Sequence, residues 1–85
     1  MPKITIYTTP ICPYCVRAKA LLDDKHVPYT EVRVDEQPEK RMEMMQKSGR
    51  RTVPQIFVGE HHVGGFDDLY ILDRSGGLDP LLKSG

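Results

Sequence analysis

Ile4-Thr5-Ile6-Tyr7-Thr8-Thr9-Pro10-Ile11-Cys12-Pro13-Tyr14-Cys15 is the stretch that decides the fold. Ile4 to Tyr7 is a short β-favouring run, and the break at Thr8-Thr9-Pro10 closes it as a buried first strand. A helix opens directly afterwards, because Pro13 is pre-set for the first helical position and loses no hydrogen bond there. Cys12 and Cys15 are the only two cysteines. A C-x-x-C pair between a strand and a helix is the arrangement associated with thiol redox chemistry. Cys12 falls where the first helical amides point outward without partners, and their partial positive charge favours thiolate over thiol.

Three other readings of the pair are weaker. A structural disulfide across so short a loop would remove only about 2 kcal/mol of unfolded-chain entropy. A structural zinc site wants four ligands, whereas the chain offers only His26 and the adjacent His61 and His62 beside the cysteines. Neighbouring histidines on a strand face opposite ways, so no metal ligand set is expected. Two inert core thiols fit poorly with a pair placed at an element boundary.

Outward from this stretch, residues 13 to about 25 read as a helix. Cys15, Ala18 and Leu22, with Leu21 beside them, share one face, while Arg17, Lys19, Asp23, Asp24 and Lys25 can reach water. Val27-Pro28 ends the helix. Thr30, Val32 and Val34 alternate with Glu31 and Arg33 as a strand with one buried face, which completes a βαβ unit. A second helix runs from about Pro38 to Lys47 and is closed by Ser48-Gly49, with Met42 and Met45 expected to point inward as core filler. Gln55 to Val58 is a third strand, Gly59-Glu60 a tight turn and His62-Val63 a short fourth strand ending at Gly64-Gly65. Asp67 or Asp68 caps a third helix through about Asp73, and Leu78 to Lys83 supplies a last one. The order βαβαββαα predicts an α/β fold with a four-stranded mixed sheet flanked by helices, because βαβ requires parallel strands and a hairpin antiparallel ones.

Composition narrows the function. Residues 1–85 read as a single domain. With 12 basic and 12 acidic side chains the net charge is zero, so neither nucleic acid nor an anionic membrane is an expected partner. No run approaches the length of a membrane span, and Met1-Pro2-Lys3 begins no export signal. A secreted chain this small would usually carry more cysteines, so a reducing cytoplasm fits best. A monomer is the default expectation.

Beyond the dithiol, two further segments carry a resemblance to a known family. Cys12-Pro13-Tyr14-Cys15, Thr52-Val53-Pro54 and Gly64-Gly65-Phe66-Asp67-Asp68-Leu69, in this order and with these separations, resemble the glutaredoxins of the small bacterial dithiol kind, within the thioredoxin-like fold. The resemblance spans nearly the whole chain. It implies that glutathione is a co-substrate with no tightly bound cofactor, and that the Val53-Pro54 bond is cis and faces Cys12. It also implies a glutathione site of Tyr14, Arg51, Thr52, Val53, Pro54, Gly65, Phe66, Asp67 and Asp68. The amides around Phe66 and Asp67 would take the γ-glutamyl carboxylate while Asp68 meets the amine. Arg50 and Arg51 are suited to the glycyl carboxylate, although both also read as solvated surface charge. One departure is plain. Many family members carry Lys or Arg three residues before the first active cysteine, and here that place holds Thr9, which leaves more of the work to the helix terminus and Arg51.

The activity implied is glutathione-dependent reduction of protein disulfides and glutathione mixed disulfides, with Cys12 as nucleophile and Cys15 as resolver. Lowering a thiol from its usual value near 8.5 gains roughly 30-fold in thiolate at pH 7 but returns much of that gain in nucleophilicity. The larger benefit is that Cys12 becomes a good leaving group. Cys12 is therefore expected to be acidic and Cys15 unshifted or raised. Disulfide-containing or glutathionylated proteins, ribonucleotide reductase among them, are the expected partners. The rival readings are a thioredoxin-like electron donor fed by a flavoprotein reductase, and a glutathione-assisted iron-sulfur carrier, which Pro13 disfavours by family analogy.

Overall fold

Ile4 and Ile6 pack on one side of the first strand and Tyr7 on the other, so the strand β1 (Ile4–Thr8) is buried on both faces. This is why its sequence is a continuous rather than an alternating run. A computed structural model describes residues 3–83, in the order β1, α1 (Pro13–Asp24), β2 (Thr30–Arg33), α2 (Pro38–Ser48), β3 (Gln55–Val58), β4 (His61–Gly64), α3 (Phe66–Arg74) and α4 (Leu78–Lys83). The strands form one sheet in the order β2-β1-β3-β4, with β1 parallel to β2 and antiparallel to β3, and β3 antiparallel to β4. This is the expected mixed sheet.

Two hydrophobic cores lie on its two faces. The larger joins Ile4, Ile6, Ile56 and Val58 to Ala18 and Leu22 of α1, Leu69 of α3, and Leu78 and Leu82 of α4. The smaller joins Tyr7, Val34 and Phe57 to Met44 of α2. Among the described residues no helix is long and apolar enough to cross a membrane.

Three local expectations are corrected, and one helix end is explained. The inward methionine of α2 is Met44, fully buried, with Met45 beside it, while Met42 is 57% exposed. Met42 and Met44 lie about 200° apart around a helix, so only one of them can face the sheet. Helix α1 ends where expected, just before Val27-Pro28. His26 takes a left-handed conformation at φ 57°, its amide bonds Asp23 and the Val27 amide bonds Leu22, which is a Schellman closure. Thr30 is exposed at the open edge of the sheet, so burial along β2 begins only with Val32 and Val34. Finally, Gly65 occupies the cap position of α3, and Asp68 serves the cap from inside the helix by accepting the Gly65 amide at 3.0 Å.

Candidate functional site

The chain topology gathers the site at one end of the sheet. Strand β1 runs toward this end and delivers Cys12, β3 starts there beside Thr52-Val53-Pro54, and β4 finishes there at Gly64.

Cys12 is the N-cap residue of α1 and is half-buried. Its Sγ accepts the Cys15 amide at 3.2 Å, one of the amides that a helix start leaves without an intrahelical partner. On its other side Sγ lies 3.8 Å from the Val53 carbonyl oxygen, to which the thiol donates. Both cysteines are free thiols, and Cys15 is 1% exposed. Burial pushes the Cys15 thiol up to about 12, with the hydrogen bond to Cys12 adding to the rise. The Thr9 backbone and the Lys19 charge act in the opposite direction. The two sulfurs therefore differ sharply in surroundings: one at a helix mouth beside open backbone, the other sealed beneath it.

The Val53-Pro54 peptide is cis, and Pro54 is buried. Among the described residues nothing in the chain takes the Val53 amide, so this backbone can pair with an extended peptide. Two residues that sequence reasoning did not single out hold the loop from behind. Gln55, fully buried, donates its side-chain amide to the Thr52 carbonyl at 3.0 Å and to Thr52 Oγ1 at 3.3 Å. Its oxygen then accepts from His62 Nε2 at 2.7 Å, which places the imidazole proton on that nitrogen. Burial pushes the His62 imidazole below its usual value, with Arg50 assisting. The available signal was a lone Gln inside an otherwise apolar strand, whose buried side chain must find partners.

From Tyr14 and Val53 a groove of about 280 Å³ extends across Arg50, Thr52, Pro54, Gly65, Phe66, Asp67 and Asp68. The ring of Tyr14, which is half-exposed, lies 6.3 Å from that of Phe66. Asp68 Oδ2 accepts both Arg50 Nη1 at 2.8 Å and the Gly65 amide, and these two bonds hold its carboxyl below the usual carboxylate range. Gly64, at φ +121°, leaves no room for a side chain, because a Cβ there would run into the Asp68 carboxylate.

With Cys12 against the Val53 carbonyl, the structure brings together every expected site residue except Arg51. That side chain is exposed and does not line the groove, its backbone carbonyl accepting Arg41 at 3.2 Å, whereas Arg50, the other arginine offered for the glycyl carboxylate, lines it. The two arginines are adjacent in sequence, and the ion pair with Asp68 decides between them.

A protein-family model described as Glutaredoxin matches residues 4–63. The chain is 58% identical over 83 residues to Glutaredoxin 3 of Escherichia coli K12, covering 98% of this chain and 100% of that protein. The chain belongs to the glutaredoxin family. As a glutaredoxin it is a thiol-disulfide oxidoreductase with the thioredoxin-like fold. The solution structure of glutaredoxin from Brucella melitensis superposes with a TM-score of 0.86 at 55% identity, covering 98% of this chain and 90% of that one. A crystal structure of a buckwheat glutaredoxin-glutathione complex superposes with a TM-score of 0.87 at 31% identity, covering 95% and 76%. In this glutaredoxin the matched residues 4–63 stop short of Gly65 and the first turn of α3, which form the far wall of the groove.

Proposed function

We propose that this glutaredoxin reduces protein disulfides and glutathione mixed disulfides with glutathione as the electron donor. The observation that carries the reading is the groove itself, which runs from Tyr14 and Val53, against whose carbonyl the Cys12 sulfur lies, to the Asp68 carboxylate and the start of α3. Its chemistry matches a γ-linked tripeptide part by part. The unused Val53 amide, with the neighbouring carbonyl, offers a strand-like pairing to the cysteinyl residue of glutathione. The α3 amides at Phe66 and Asp67 suit the γ-glutamyl carboxylate, and Asp68 suits the ammonium. Arg50, ion-paired with Asp68 at 2.8 Å, holds that carboxylate in place at the γ-glutamyl end. Tyr14 covers the sulfur.

In the proposed cycle the Cys12 thiolate attacks the glutathionyl sulfur of a mixed disulfide. The Cys12–glutathione disulfide forms as the old S–S bond breaks, and the protein thiolate leaves and takes up a proton. A second glutathione attacks this disulfide, freeing Cys12 and yielding oxidised glutathione. For an intraprotein disulfide, Cys12 forms a mixed disulfide with the substrate, and Cys15 displaces it by closing Cys12–Cys15. Two glutathiones then restore the dithiol. The sealed Cys15 suits a thiol that is called upon only once Cys12 has reacted. We place the reaction in a reducing cytoplasm with the protein acting as a monomer, and ribonucleotide reductase is a candidate substrate.

The test is glutathione-dependent reduction of a small glutathione mixed disulfide. Wild type and Cys15→Ser are expected to turn over and Cys12→Ser to be inactive. Activity surviving in Cys12→Ser, or turnover indifferent to glutathione, would overturn the reading.

A further inference from the structure

Behind the dithiol lies a charged cluster that the proposed cycle does not use. Thr8, the last residue of β1, is fully buried, and its Oγ1 donates to Glu31 Oε2 at 2.6 Å. The same oxygen takes Lys19 Nζ at 3.0 Å. The Thr8 hydrogen bond, with Lys19 assisting, holds the Glu31 carboxyl below its usual value, so the anchor stays ionised. Lys19 stands four residues after Cys15 on α1, one turn further along the same face, and only 29% of its side chain is exposed. A lysine serving solubility alone has no need of a carboxylate that is itself tied to a buried threonine.

We propose that Lys19, pinned in place by Glu31 and Thr8, is a positioning residue for the resolving step, stabilising the Cys15 sulfur as it becomes the nucleophile. This rests on the assignment of Cys15 as resolver. Before reaction, the Cys12 sulfur opposes ionisation of Cys15, both through its hydrogen bond and through its charge. Once Cys12 is tied in a mixed disulfide, its charge is gone. Burial still opposes ionisation, and the influences favouring it are the Thr9 backbone and the Lys19 ammonium. Of the charges acting on Cys15, that of Cys12 opposes ionisation and that of Lys19 favours it. The order of events follows: the Lys19 charge is in place throughout, and the opposition from Cys12 ends once Cys12 has reacted. In the step itself, the Cys15 proton passes to solvent and the Cys12–Cys15 bond forms. The bond from Cys12 to the substrate sulfur breaks, and the departing thiolate takes both electrons of that bond.

A chromogenic aryl disulfide, 5,5′-dithiobis(2-nitrobenzoate), separates the two thiols in one stopped-flow trace. A first arylthiolate is released when Cys12 attacks the reagent, and a second when Cys15 closes the ring. Lys19→Met is expected to slow the second phase about tenfold relative to the first, the scale of removing one partly buried charge that acts on a developing thiolate. Lys19→Arg, which keeps the charge, is expected to restore the ratio. Because both phases are read from one folded sample, a general loss of stability does not alter their ratio. A ratio unchanged in Lys19→Met overturns the inference, as does one lowered equally by Lys19→Arg. A second phase that persists in Cys15→Ser would instead remove Cys15 as resolver, and with it the cycle proposed above.

Discussion

Gly64 and Asp68 show how tightly single residues are set in this site. A methyl group at Gly64 would meet the Asp68 carboxylate, and the backbone at φ +121° disfavours any side chain. Gly64→Ala is therefore expected to cost more than about 1 kcal/mol, measured by urea denaturation, and to weaken glutathione turnover by displacing Asp68. Asp68→Asn separates charge from capping, since an amide oxygen can still accept the Gly65 amide but no longer pairs with Arg50 as an ion. Its expected result is a raised KM for glutathione and a small loss of stability at neutral pH with the fold intact. The pH dependence has a definite sign. A carboxyl lowered in the native state by Arg50 and the Gly65 amide stabilises the fold above its ordinary value of 3.8, and this contribution is lost as pH falls through the native value. The difference in urea midpoint between wild type and Asp68→Asn should accordingly shrink between neutral pH and pH of about 3. The close approach at Gly64-Gly65 and the helix start at Asp68 were legible in the sequence because glycine pairs before acidic residues mark close backbone approach and a helix start. Arg50 against Arg51 was not legible, since neighbouring side chains of equal chemistry are told apart only by where the backbone aims them.

At the scale of elements, α2 carries the sharpest contrast. Met44→Ala is expected to cost about 2 to 4 kcal/mol, because it empties the small core beneath Tyr7, Val34 and Phe57. Met42→Ala on the same helix should stay within about 0.5 kcal/mol. Equal losses for the two would mean that the helix sits in a different rotation. The same helix is tethered by Tyr7, whose hydroxyl donates to Glu43 at 2.8 Å, and burial with this bond pushes the phenol up to about 12. Tyr7→Phe should therefore lose about 1 kcal/mol at neutral pH by thermal or urea unfolding. The bounds of α2 were readable from Pro38 and Gly49, which act through their own backbone. Its rotation was not, because methionines at 42, 44 and 45 allow two apolar stripes and only contact with the sheet selects one.

Across the whole molecule, the site is a product of strand order. Antiparallel pairing of β1 with β3 sets Tyr7 opposite Gln55, and so sets Cys12, five residues after Tyr7, beside the Val53 backbone. The chain returns through β4 to bring Asp68 to the same edge. Helix α4, only six residues long, is too short to stand alone and holds on through Leu78 and Leu82 in the larger core. Leu78→Ala is expected to cost about 2 to 4 kcal/mol in a global unfolding measurement, and an unaffected midpoint would show that α4 is not part of the cooperative unit. The sequence by itself determined the element order, the mixed sheet, the dithiol at a strand-to-helix junction and the family, because proline, glycine and apolar spacing act over a few residues. Only the tertiary structure decided which methionine is core, which arginine meets Asp68, how deeply Cys15 is sealed, and that Lys19 is anchored through Glu31 to Thr8. Those outcomes depend on pairings between residues far apart in the chain, and no local signal encodes what a side chain meets across the sheet.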